Sequence, residues 1–353
     1  MPFKNRHKKL IRNFIRYFLG PFLFVWLCFS IYHQIQQQPN LENSWSALRQ
    51  SLQSSLWWVL PAMLIGMMAN WSIESVKWML VVQRIQPIRF FTACKAVLSG
   101  VSFSVTTPNR VGEYLGRVLY MNEGNRLKAI SLTIAGSISQ LLVTIWMGTV
   151  SLQLLRNRIE SAGLVSSFWF DWIFWGSFST ALILTLFYFR IRFLVRWADR
   201  LPGSSRYAWL IEALESFDAT ILLQLLSLSA ARFVLFIIQN WLLCRLFDVE
   251  IGWWPLFWTV SLGYLVMAAI PTIALFTDLG LRGTVSIQLL GMYSSNHLGI
   301  GLASAGMWLI NLIIPALAGS LLILGIGRFF KTNRATASPA KDAPQLINDE
   351  EGN

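Results

Sequence analysis

Thr106-Thr107-Pro108-Asn109-Arg110-Val111-Gly112-Glu113-Tyr114-Leu115-Gly116-Arg117 is the stretch that decides how the rest of the chain is read. It follows an apolar, small-residue run, Ala93 to Val105, and precedes a long apolar run that begins at Ile130. A proline inside an apolar run removes a backbone donor and breaks a helix. In hydrocarbon such a break survives only where protein buries it or where it lines a wet cavity. On a helix beyond the break, Glu113 and Arg117 stand four apart on one face, with Arg110 three before Glu113 on the same side. Gly112 and Gly116, also four apart, let a neighbouring backbone approach closely. Proline, small residues and a short charged helix within apolar sequence describe a site and not a simple span.

Composition supports that setting. The 353 residues are 55% hydrophobic and only 13% charged, with 17 Trp and a mean hydropathy of +0.52. A soluble domain of this size carries about twice that share of charge. Several apolar runs reach the roughly 20 residues that span a bilayer. The net charge of +12 sits at the ends of these runs, which positive-inside topology explains better than nucleic-acid binding. Cys28, Cys94 and Cys244 are scattered in apolar context, with neither disulfide nor metal spacing, and read as small hydrophobes.

In order, residues 1–16 form a basic cytoplasmic N-terminus (Lys4, Arg6, Lys8, Lys9, Arg12, Arg16) ahead of an uncleaved first helix, about Tyr17 to Ile35. A second helix returns inward from Leu56 to about Val82, carrying Glu74 and Lys77 in its inner half. The plain account of that pair is an interfacial ion pair with a snorkelling lysine. Residues 90–127 then read as a re-entrant hairpin from the cytoplasmic side, broken at Pro108. Ile130 to Leu154 crosses outward to a loop with Arg156, Arg158 and Glu160, and Phe168 to Phe189 crosses back. Arg190, Arg192, Arg196, Arg200 and Arg206 follow inside; Leu222 to Phe247 crosses out, and Gly299 to Phe329 is the last span. The tail 332–353, polar and Pro/Ala-rich, reads as disordered and cytoplasmic. Basic residues thus concentrate on one side, which puts both termini in the cytoplasm of a multi-pass protein of the cytoplasmic (inner) membrane.

A second irregular region repeats the first. Trp253 to Phe276 is apolar but contains Pro271, and leads into Thr277-Asp278-Leu279-Gly280-Leu281-Arg282-Gly283. Again a proline precedes an acid and an arginine four apart. The whole transmembrane unit, residues 17–331, therefore reads as possible inverted halves, 17–154 and 168–329. Discontinuous helices meeting at mid-membrane in such halves belong to secondary transporters. The fold class expected is an all-α integral membrane protein with about six full transmembrane helices and two re-entrant, broken hairpins. One further charge stands out: Arg232 lies about halfway through its span, where an arginine costs at least ~2.5 kcal/mol. It requires a pair with Asp278 or Glu113, a ligand, or both.

The run Pro108-x-Arg110-x-Gly112-Glu113-x3-Arg117 resembles the Pro-x-Arg-x-Gly-Glu signature of the lysylphosphatidylglycerol synthase/flippase transmembrane-region family. Pro271 and Leu279-Gly280-Leu281-Arg282-Gly283 are similar to that family's Pro … Gly-Gly-Leu-Gly-Val-Arg-Glu segment. Gly283 stands where glutamate is usual, and Asp278 where glycine is usual. The resemblance covers roughly residues 10 to 330. It implies the membrane half of aminoacyl-phospholipid synthases, implicated in flipping the lipid product, or stand-alone members linked to polyprenyl-phosphate-sugar, hopanoid and surface-glycan pathways. No aminoacyl-transferase sequence follows the last helix, so the resemblance implies no synthase activity here.

Catalytic signals are thin. His7, His33 and His297 lie far apart, no phosphate loop or nucleophile elbow is present, and Asp248 and Glu250 are the nearest approach to an acidic cluster. The expectation is a non-enzymatic protein without cofactor or metal, which moves or binds an anionic lipid and has no nucleic-acid partner. An intramembrane lipid-modifying or glycosyl-transfer enzyme and a scaffold for cell-envelope enzymes are the alternatives. The expected head-group and ion-pair cavity comprises Pro108, Arg110, Gly112, Glu113, Arg117, Arg232, Pro271, Asp278 and Arg282. Guanidinium suits bidentate contact with phosphate, and helix ends freed by the two prolines add N–H donors for an anion.

Overall fold

A computed structural model describes residues 54–105, 107, 111–190, 218–270 and 275–323, with a few isolated positions before them. The expected first helix, the basic N-terminus, most of the 190–206 basic run, the tail, and Pro108, Arg110 and Pro271 lie outside the described residues. Within them the chain is an all-α membrane protein. Its helices are α1 (Val59–Val82), α2 (Phe90–Ser104), α3 (Gly112–Val118), α4 (Arg126–Ser161) and α5 (Ser167–Phe189). They continue as α6 (Ala219–Leu246), α7 (Trp253–Ala269), α8 (Leu275–Leu290) and α9, which starts at His297 and runs on to Ile323. Five helices among the described residues, α1, α4, α5, α6 and α9, are long and apolar enough to cross a bilayer.

At 1.5 Å per residue, the 15 residues of α2 reach about 22 Å and the 7 of α3 about 10 Å. Both fall short of the ~30 Å hydrocarbon core, which fits a hairpin that does not cross. Glycine makes this hairpin possible. A Cβ on Gly116 would lie 2.5 Å from the Gly100 Cα and 2.6 Å from the Ser99 carbonyl, so the two backbones touch there. Thr107 ties the break itself, donating to the Phe103 carbonyl at 3.2 Å and accepting from the Gly112 amide at 2.7 Å.

α1 is built inside out relative to a soluble helix. Its buried positions Val59, Met63, Gly66, Asn70, Glu74, Lys77 and Val81 recur at helical spacing along one stripe, while Leu64, Ile65 and Met68 are exposed. The stripe packs on α6. Gln239 donates to the Met63 carbonyl at 3.2 Å, and Arg232 reaches Asn70 and Glu74. Numbers rise along one helix as they fall along the other, so the pair is antiparallel.

The sequence placed Arg156, Arg158 and Glu160 in a loop; α4 instead runs through all three to Ser161. The reason is local. Arg156 bonds Glu160 one turn on at 3.1 Å and reaches Asp171 of α5 at 3.1 Å. The helix then ends in a Schellman motif, with Leu164 N–H on the Ile159 carbonyl and Gly163 in the left-handed region at φ 66°. The same motif closes α6, with Val249 N–H on the Cys244 carbonyl, but there Asp248 takes the left-handed position at φ 53°. Cys244 is buried among apolar neighbours, as its context implied.

α9 carries a π-turn at Leu309–Ile313. Pro315 follows it and cannot donate to the carbonyl four residues back, so the helix widens just ahead of the proline. The last apolar cluster matters for the site. Val101 and Val105, at the end of α2, meet Leu279 of α8 together with Trp308, Ile313 and Ala316 of α9. The sequences flanking the two proline breaks thus lie against one another.

Candidate functional site

Glu74 is the hub. Its Oε1 accepts from Arg117 of α3 at 2.8 Å, and its Oε2 accepts from Arg232 of α6 at 2.6 Å. Lys77 on the next turn of α1 stands 3.5 Å from the same carboxylate. Arg117 also donates to Glu113, four residues earlier on its own helix. Arg232 directs its Nε at the Asn70 side-chain oxygen (2.5 Å). Asn70 in turn donates to Asn311 at 3.2 Å. The π-turn holds Asn311, whose own amide reaches the Met307 sulfur at 3.4 Å. One polar chain therefore runs from the hairpin helix through α1 and α6 into α9.

The cluster is deep. Side-chain exposure is 3% for Arg117 and Lys77, 9% for Glu74 and 12% for Arg232. Asn70 and Arg232 each fall halfway along their helices. Arg232 lies over the Trp71 ring at 5.1 Å and the Phe236 ring at 5.4 Å, so aromatic faces add to its stabilisation. Among the described residues, three cations here face two carboxylates, and the Nε of Arg117 and the indole N–H groups of Trp71 and Trp308 are buried without a hydrogen-bond partner. A buried donor left unmade costs about 1–3 kcal/mol, and all three of these groups can only donate.

Of the expected residues, Glu113, Arg117 and Arg232 come together, and Gly112 seats the hairpin helix against the Phe103 carbonyl. Arg232 does not pair with Asp278 or Glu113 as expected. Asp278 is taken by Arg282 four residues on, at 2.9 Å, and Glu113 likewise by Arg117; the antiparallel neighbour supplies Glu74 instead. The snorkelling expected of Lys77 is not seen: its side chain is buried against protein, because its stripe of α1 faces the bundle. Glu74, Asn70 and Asn311 were missed as site residues. The signal for Glu74 was present, since an acid within a span marks a functional site unless a partner explains it away.

Asp278 and Arg282 line up on α8 beside a second feature, a half-open cavity of about 40 Å³ bounded by α6, α7, α8 and α9. Arg282, Tyr264, Asn240 and Met307 are among its lining residues. Met307 belongs to both places, since it also receives the Asn311 amide.

No curated protein matches the chain significantly. A family match does extend over most of it, and it takes in both proline-broken stretches and every cluster residue. By that match over residues 18–319, the chain belongs to the family described as the lysylphosphatidylglycerol synthase TM region.

Proposed function

We propose that this protein binds an anionic lipid, phospholipid or polyprenyl-phosphate-linked, and carries its head group across the cytoplasmic membrane in the manner of a flippase. The observation that carries the reading is the excess of buried donors at mid-bundle. Among the described residues, Glu74 and Glu113 are the carboxylates that Lys77, Arg117 and Arg232 face, and Arg117 Nε and Trp71 Nε1 have no acceptor. A phosphate oxygen would supply the missing acceptors and balance the charge. Membership of a membrane lipid family supports the substrate class. The concentration of basic residues supports cytoplasmic termini. The reading involves no enzymatic step.

A scaffold role is the second reading, and one observation favours it: the charges also pair among themselves around Glu74. Reconstitution separates the two. Vesicles containing the purified chain and a trace of head-group-labelled phosphatidylglycerol should scramble or export the label faster than protein-free vesicles. Arg232→Lys should retain part of the rate, since lysine keeps the charge but loses the planar fork, and Arg232→Gln should lose at least tenfold. A parent protein that accelerates nothing, although folded, would transfer the argument to the scaffold.

A further inference from the structure

Glu74 occupies the very donors that an incoming anion needs. Its two oxygens are divided between two elements. Oε1 takes Arg117 Nη2 from the hairpin at 2.8 Å, and Oε2 takes Arg232 Nη1 from α6 at 2.6 Å. A carboxylate bound by guanidinium groups makes the same kind of charge-assisted contact as a phosphate. Either arginine can release it without being stranded. Arg117 keeps Glu113, while Arg232 keeps the Asn70 oxygen and the Trp71 and Phe236 rings. Glu74 keeps a partner too, because Lys77 stands 3.5 Å away on its own helix. The two arginine bonds can therefore be exchanged while every ion at the centre remains paired.

Charge sets the stoichiometry. Among the described residues, Lys77, Arg117 and Arg232 against Glu74 and Glu113 leave one positive charge, which a single monoanionic phosphodiester neutralises. Without Glu74 and Lys77, Arg117 and Arg232 against Glu113 again leave one. The α1 pair thus adds no net charge to the cluster. What it adds is a competitor.

We infer that Glu74 is a built-in counter-anion: it fills the arginine donors while the carrier is empty, yields them to the anionic head group, and takes them back to expel it. The inference rests on the reading of the chain as an anionic-lipid carrier and assigns that site its means of release. Lys77 is the holder. When the head group displaces Glu74 from Arg117 and Arg232, the carboxylate stays with Lys77, in a setting where an unpaired charge is costly. Only ion pairs and hydrogen bonds change hands.

The test compares the parent, Lys77→Met, and the double variant Glu74→Gln with Lys77→Met, each as the purified full chain. Phosphatidylglycerol binding is read by native mass spectrometry in neutral detergent, and its translocation in reconstituted vesicles. The double variant keeps the net charge of the cluster and strands no ion, so it folds. It should bind phosphatidylglycerol about tenfold more tightly than the parent, the worth of one charge-assisted hydrogen bond. It should also translocate the lipid about tenfold more slowly, since nothing expels the bound head group. Lys77→Met alone should bind about tenfold more weakly, because the displaced carboxylate then has no cation to keep. A double variant that binds no tighter than the parent, or that binds tighter yet translocates as fast, would overturn the counter-anion and leave anionic-lipid binding intact. Should the double variant fail to fold, Lys77→Met decides, and parent-like binding by it would overturn the inference equally. A parent that binds phosphatidylglycerol no better than phosphatidylcholine would overturn the anionic-lipid reading itself, and the counter-anion with it.

Discussion

Glu74→Gln removes the one carboxylate that three cations share, and its cost can be worked from the distances. At an effective dielectric of about 20, each contact between 2.6 and 3.5 Å carries a gross attraction of roughly 5–6 kcal/mol. Desolvation of the four groups and repulsion among the cations oppose most of that. What decides the outcome is which cations keep a partner. Arg117 retains Glu113, and Arg232 retains the Asn70 oxygen. Lys77 has Glu74 as its ion-pair partner among the described residues and is buried. The variant therefore strands one buried charge fully and two partly, for an expected loss of about 3–5 kcal/mol. Adding Lys77→Met should recover most of it, because a neutral, well-packed replacement of a buried pair is tolerated. The assay is equilibrium unfolding in mixed micelles followed by tryptophan fluorescence, on parent, single and double variants. A Glu74→Gln protein within about 0.5 kcal/mol of the parent, or a double variant no better than the single, would refute the hub.

Gly116→Ala places a methyl against the backbone of α2 and should cost about 1–3 kcal/mol in the same assay, whereas Gly136→Ala, with open space around it, should be neutral or slightly stabilising. Asp248→Gly relieves a left-handed non-glycine residue at the end of α6; it should stabilise by about 0.5–1 kcal/mol, and a loss of stability would show that the Asp248 side chain matters more than its backbone. Cysteines at positions 89 and 126, the two feet of the hairpin, should react with impermeant reagents from the cytoplasmic side alone. Labelling of either from outside would make α2 and α3 a crossing pair.

The long apolar helices were legible because hydrocarbon imposes a length, and the hairpin because proline and paired glycines impose a break and a close approach. Glu113 and Arg117 were legible as an i, i+4 pair for the same local reason. Glu74 was not, although it lies in plain view beside Lys77. Sequence spacing finds partners on one helix, and it supplied Lys77 as a sufficient partner. The antiparallel pairing that brings Arg232 to Glu74 across 158 residues is a tertiary fact with no local trace. Asn70 and Asn311 were hidden likewise, as neutral residues within apolar runs. The helical continuation through Arg156 and Glu160 was hidden by polarity, which reads as loop when the bonds that stabilise it are intrahelical.

The π-turn before Pro315 has a rotational consequence. One residue more than α-helical winding shifts everything beyond it by about 100° around the axis. Ile300, Ala303 and Met307, ahead of the turn, face α6 and its neighbours; Trp308 and, beyond the turn, Ala316 pack with Val101 and Val105 at the end of α2, and Gly319 lies against the Leu98 carbonyl of that helix. α9 acts as an axle with an offset keyed into it: one end packs on α6, the other on the hairpin that holds Arg117. Restoring uniform α-helical winding there would turn the segment beyond Ile313 by about 100°, and Ala316 and Gly319 would lose their contacts with α2.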